Sequence, residues 1–202
     1  MSRPYGTMGE DELRARFHHR AVLFERSGEL AEPIARAADV LVRSLEGGGS
    51  VFACGNGGSA TQAAHFVLEL VGRFKRERRA LRAFSLAESA GTLTAIGNDY
   101  EFADVFARQL HGMLRPGDCL VALSTSGESE NVVRACRAAR EAKGRVLGLT
   151  GATGGRVASE CDVVVLVPEN DTPLVQEVHL AVLHLWCETV EEALFPRPTG
   201  GR

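Results

Sequence analysis

Apolar residues recur at helical spacing along the first quarter of the chain. Leu13, Phe17, Val22, Leu23, Leu30, Ile34, Ala38, Leu41 and Leu45 mark two amphipathic helices, over 9–27 and 31–46. Gly47, Gly48 and Gly49 end the second helix and lead into the first strand. From there the pattern changes. Short, nearly continuous apolar runs at 51–54, 82–86, 119–124, 145–150 and 163–167 alternate with helical stretches at 59–72, 89–96, 101–114, 129–142 and 173–194. Strands that are apolar on both faces and separated by helices predict an α/β fold, a parallel sheet covered by helices on both sides. Ligands of such sheets bind at the carboxyl ends of the strands, near a topological switch point. One domain accounts for the whole pattern: a helical segment over 9–46, an α/β core over 47–195 and a flexible tail over 196–202. Residues 1–8 read as a loose arm.

Composition narrows the class. Hydrophobic residues make up 45% and charged residues 24%, which suits a folded chain with a sizeable core. The formal net charge of −3 argues against a general nucleic-acid binder, which needs a basic footprint. The five cysteines form no C-x-x-C pair and read as reduced core thiols. No apolar run approaches the ~20 residues that cross a bilayer, and the N-terminus lacks a signal pattern. These features suggest a cytoplasmic protein with no membrane partner.

Two loops carry candidate anion chemistry. Gly55-Asn-Gly-Gly-Ser59 follows the first strand and opens a helix, where exposed N–H groups and the helix dipole favour an anion. The loop lacks both the G-K-[ST] of a P-loop and the G-x-G-x-x-G of a dinucleotide fold, so a nucleotide is not indicated. Its structural alternative is a tight turn needing positive φ at glycine. The second loop, Ser124-Thr-Ser-Gly-Glu-Ser129, leaves the third strand with four hydroxyls at a helix start. Here the alternative is a capping box joining Thr125 and Glu128.

Acid–base or metal chemistry has two candidate sources. His65 and Glu69 stand four apart, one above the other on a helix face. Gln176, Glu177, His179 and His184 lie on the last long helix, although Gln176 and His184 are separated by roughly 12 Å along an ideal axis. The basic run Arg73–Arg79 reads as a solvated loop or as a patch that attracts an anionic substrate, with Arg73 nearest the helix and the pocket. Asn98-Asp99 reads either as a turn or as a contact for sugar hydroxyls.

Seven segments occur in a specific order: CGNGGS at 54–59, HFxxEL at 65–70, GRF at 72–74, GND at 97–99, STSG at 124–127, LTG at 149–151 and DTPLVQEVH at 171–179. With them the chain resembles the sugar isomerase (SIS) family over about residues 9–195, most closely its members that act on sedoheptulose 7-phosphate. The resemblance implies a three-layer, flavodoxin-like SIS fold with a five-stranded parallel sheet and added N-terminal helices. It also implies a homotetramer whose neighbouring subunits build the sites, and a zinc ion in each site. The implied zinc ligands are His65, Glu69, Gln176 and His184. The implied substrate contacts are Asn56, Gly57, Gly58, Ser59, Glu69, Asn98, Asp99, Ser124, Thr125, Ser126, Ser129 and Gln176. Glu128 stands where the family has Asn. The implied reaction converts sedoheptulose 7-phosphate to glycero-manno-heptose 7-phosphate through an enediol, with Glu69 as base and His184 as its acid–base partner. Two alternatives share the scaffold: a non-catalytic SIS tetramer that binds the bacterial replication initiator, and an isomerase for a related sugar phosphate. The first would not need the complete ligand set that is present here.

Overall fold

Five parallel strands form the centre of the computed structural model, which describes residues 7–197. These are β1 (Val51–Cys54), β2 (Ala83–Ser85), β3 (Cys119–Ser124), β4 (Arg145–Thr150) and β5 (Val163–Leu166), in the spatial order β2-β1-β3-β4-β5. Register runs Val51 to Ala83 on one side of β1 and Val51 to Cys119 on the other. Every residue of β1 and β3 is buried, so their sequences are unbroken apolar runs and not alternating ones. The pleat still sorts them. Val51, Ala53, Val121 and Leu123 face one core cluster; Phe52, Cys54, Leu120 and Ala122 face the other.

Helices cover both faces. On the first lie α2 (Ala31–Glu46), α3 (Gly58–Val71) and α8 (Thr172–Leu194), which bury Leu41, Phe66, Leu70, Trp186 and Val190. The Trp186 indole donates to the Ile34 carbonyl at 3.0 Å, tying α8 to α2. On the second face lie α5 (Ala107–Met113), α6 (Glu130–Glu141) and the single turn α7 (Gly155–Ala158). Helix α4 (Ala90–Asp99) buries no residue completely. All five cysteines are free, and burial raises the Cys54 and Cys119 thiols well above their ordinary range.

Three elements differ from expectation. The stretch 101–114 is not one helix: a 3-10 turn at Phe102–Asp104 precedes α5, and Val105 and Phe106 turn into the core between them. Helix α7 is too short to leave a periodic signal. Helix α1 (Glu10–Arg26) forms where expected, yet buries only Leu23 completely and leaves Phe17 73% exposed. Arg20 and Glu177, 2.9 Å apart, tie it to α8. The expected arm and tail lie largely outside the described residues. Within those residues no helix is long and apolar enough to cross a membrane.

His179 fixes α8 to the end of β4. It is fully buried, its Nε2 stands 3.2 Å from the Thr150 carbonyl, and its Nδ1 has no protein partner among the described residues. Burial lowers its pKa to about 4, with the Thr150 hydrogen bond opposing the shift. The neutral ring therefore donates Nε2–H to Thr150. The unfolded chain takes up this proton near pH 6.5, before the folded one does. The contribution of His179 is full above about pH 6.5 and is lost as pH falls towards 4, by up to about 3 kcal/mol. We expect urea midpoints of His179→Gln to fall less steeply than wild type across that window. Parallel curves would show that His179 is not the group responsible.

Candidate active site

The strand order reverses between β1 and β3, and both candidate anion loops leave that point. Between them lies a cavity of about 300 Å³, lined by Asn56, Gly57, Gly58, Ser59, Ser124, Thr125, Ser129, Thr172 and Gln176. The N-termini of α3 and α6 both open onto it, presenting their positive dipole ends. Gly57 has φ of +53°, which glycine adopts without strain. At Gly58 the requirement is space: a Cβ there would stand 2.7 Å from the Gln176 amide. Ser124 Oγ accepts from Gly127 N at 3.1 Å and donates to Ser129 Oγ at 3.2 Å, which sets the second loop. The loops are joined by reciprocal amide bonds between Asn56 and Asn131, each 2.8 Å.

His65 and Glu69 project from α3 and meet His184 of α8. Their ligand atoms all lie within 4.8 Å of one another. The Nε2 atoms of His65 and His184 are 2.9 Å apart, and His65 Nε2 is 3.5 Å from Glu69 Oε1. Two imidazole lone pairs cannot face each other so closely without a proton or a cation between them. Two nitrogens on one tetrahedral zinc sit roughly 3.3 Å apart, so a small opening would admit the ion. Two imidazoles and a carboxylate are the donors that zinc and its neighbours in the first row take, so the residues present fit the group. Gln176 occupies the anion-cavity side. Its Nε2 is 3.4 Å from Ser59 Oγ, and its backbone carbonyl accepts from Gln62 Nε2 at 2.6 Å.

Beside the cluster, the basic run is solvated only in part: Arg73, Lys75 and Arg79 are exposed, whereas Arg78 turns inward. Arg73 is exposed beside Glu77, but the Arg78 side chain is only 1% exposed and pairs with Glu191 at 3.0 Å. Arg78 also donates to the Glu69 carbonyl at 2.7 Å and the Leu70 carbonyl at 2.8 Å. Glu191 accepts from the backbone N–H groups of Phe74, Lys75 and Arg76 at 2.9, 2.9 and 3.1 Å. Burial works against its ionisation. The Phe74 and Lys75 amides and the Arg78 charge outweigh this and hold the carboxyl below its ordinary range. Phe74, carried by this loop, stacks on His184 with ring centroids 5.6 Å apart.

Other candidates fall elsewhere. Asn98 and Asp99 bond to each other at 2.8 Å on the exposed end of α4 and do not line the cavity. Ser126 is exposed, and its hydroxyl accepts from Glu128 N at 3.2 Å. The alternative of a capping box between Thr125 and Glu128 is not what forms: Ser129 caps α6 without a side-chain bond, and the Glu128 carboxylate accepts from Arg156 N at 3.2 Å. Glu128 is thus turned away from the cavity to the start of α7. A larger hollow of about 540 Å³, lined partly by Arg36, Arg43 and Arg145, opens at the opposite end of the sheet. Its lining has one hydroxyl, that of Ser44, which is already bonded to the Gly117 carbonyl at 2.7 Å, in place of the several hydroxyl and amide groups at the switch point. Asn131, Gln62 and Glu191 were not singled out from sequence, and Arg78 only as one member of the basic run. A polar Asn or Glu inside an apolar helical face was the available signal.

Fold and site define the class of the SIS domain, whose family model matches residues 17–151. A phosphoheptose isomerase of Rhodospirillum rubrum is 51% identical over 185 residues, which span 92% of this chain and 98% of that protein. The structure of a phosphoheptose isomerase from Francisella tularensis superposes with a TM-score of 0.88 at 33% identity, covering 92% of this chain and all of that one. One from Neisseria gonorrhoeae superposes with a TM-score of 0.86 at 37% identity, covering 91% and 98%. The chain belongs to the SIS family, among its phosphoheptose isomerases, and is an enzyme of the sugar-phosphate isomerase class.

Proposed function

We propose that the chain converts sedoheptulose 7-phosphate to glycero-manno-heptose 7-phosphate. The observation that carries this reading is the layout of α3. Its N-terminus opens onto the anion cavity, and the same helix bears His65 and Glu69 further along. Ser59 and His65 are separated by roughly 9 Å of helix axis, on the scale of an extended seven-carbon chain. A phosphate held by Ser59, Ser124, Thr125 and Ser129 would leave C1 and C2 beside the cluster. Phosphate binding far from the reacting carbons contributes positioning.

In this reading Glu69 removes the C1 proton, which gives the enediol in its singly ionised form. His184 then returns a proton to C2, the C1 hydroxyl passes its proton to the C2 oxygen, and the aldehyde forms. His65, Glu69, His184 and Gln176 would hold a zinc ion, which polarises the carbonyl when bound. Glu128, turned towards Arg156, leaves the phosphate loop free of an adjacent negative charge.

We also read the working form as a homotetramer. Leu68 and Val71 flank Glu69 on α3, Leu185 follows His184, and all three are exposed, as is Phe17 of α1. Exposed apolar residues around a site favour cover by a second copy. Asn98 and Asp99 would then serve a neighbouring subunit's cavity.

The test is incubation of purified protein with sedoheptulose 7-phosphate, with and without a zinc chelator, followed by NMR. Light scattering on the same sample measures its mass. We expect an aldose phosphate to form, chelation to stop it, and the mass to be that of four chains. Metal-loaded protein that gives no turnover but binds the replication initiator tightly would overturn the reading.

A further inference from the structure

We propose that Phe74 is a positioning residue for His184, held over it by the buried Glu191–Arg78 pair. The inference rests on the isomerase reading above. His184 touches two rings. Phe74 covers one face, with an interplanar angle of 28°, and His65 meets it edge-on at 5.1 Å and 62°. Among the described residues the His184 side chain makes one hydrogen bond, through Nε2 to His65. Metal-binding histidines are commonly fixed by a hydrogen bond at their second nitrogen. Here no such bond is made within the described residues, and the aromatic stack takes its place.

Phe74 can hold a ring only if it is itself held. A carboxylate that collects three consecutive backbone N–H groups forms a firm anchor, because charge-assisted bonds are stronger and shorter than neutral ones. Glu191 does this at Phe74, Lys75 and Arg76. Arg78 closes the loop, bonded to that carboxylate and to the carbonyl of Glu69. One ion pair therefore fixes the backbone behind Glu69 and the ring in front of His184. Lys75 supports the outer side, 2.6 Å from Glu188 and 5.6 Å from the Phe74 ring centre.

The test compares Phe74→Leu with Phe74→Tyr. Leucine keeps an apolar side chain without a ring; tyrosine keeps the stack. For Phe74→Leu we expect kcat to fall about tenfold with KM within about twofold, and zinc affinity, read by competition with a chromophoric chelator, to fall about tenfold. Mass and circular dichroism should not change. Phe74→Tyr should stay near wild type in both readouts. Phe74→Leu within twofold of wild type in kcat and zinc affinity, or a tyrosine variant as impaired as leucine, would overturn the proposal. A wild type that binds zinc but turns over no sugar overturns the isomerase reading, and the affinity comparison still decides the role of Phe74.

Discussion

Glu69→Gln is expected to lower kcat by about 10²–10⁴-fold while leaving the fold intact. The carboxylate stands one helical turn beyond His65 and faces His184, so it is the group in the cluster best placed to take a carbon-bound proton. Glutamine has nearly the same shape but cannot accept that proton. The substitution spares the local structure, because Arg78 holds the Glu69 backbone carbonyl and not its side chain. Proton transfer is read directly as deuterium entering the sugar from heavy water, and bound zinc is measured on the same sample. Lost exchange with zinc retained assigns the base. Exchange at the wild-type rate would remove Glu69 from that role.

The second large effect is on stability. Glu191→Ala should cost about 3–5 kcal/mol, because it leaves the buried Arg78 guanidinium and three loop amides without their acceptor. Against a total of about 5–15 kcal/mol for a typical domain, that is a large share. Urea unfolding at pH 7 measures it. An apolar double replacement, Glu191→Leu with Arg78→Met, should recover much of the loss, since the unpaired charge goes as well. The pH dependence has a defined sign. Glu191 has a folded pKa below its unfolded value near 4.3, so its contribution is present above that pH and fades as the solution is acidified. A single Glu191→Ala variant as stable as wild type would show that the pair holds nothing together.

Much of this was legible in the chain. β1 and β3 read as strands because their residues pack on both faces, and such burial leaves a continuous apolar run. His65 and Glu69 read as a pair because four residues of helix is one turn, a purely local relation. The same local logic held only in part at 73–79. Five Arg and Lys residues among seven suggest solvent, and nothing nearby in sequence reveals that Arg78 enters the interior. Its partner, Glu191, is 113 residues away. Glu128 failed for a related reason: a capping box is the local use of such a residue, and the amide of Arg156 became available only when α7 folded beside it.

The sequence by itself determined the order of the strands and of the longer helices, the glycine- and serine-rich loops at two strand ends, and the ordered segments that mark the family. These depend on spacing along one element, which periodicity records. Tertiary structure alone decided that His184 reaches His65 across 119 residues, that Gln176 lies against Ser59, and that Phe74 covers His184. Those contacts depend on how α3, α8 and the 72–79 loop pack against each other. Packing is set by the summed burial of the whole core, a quantity that no single segment carries.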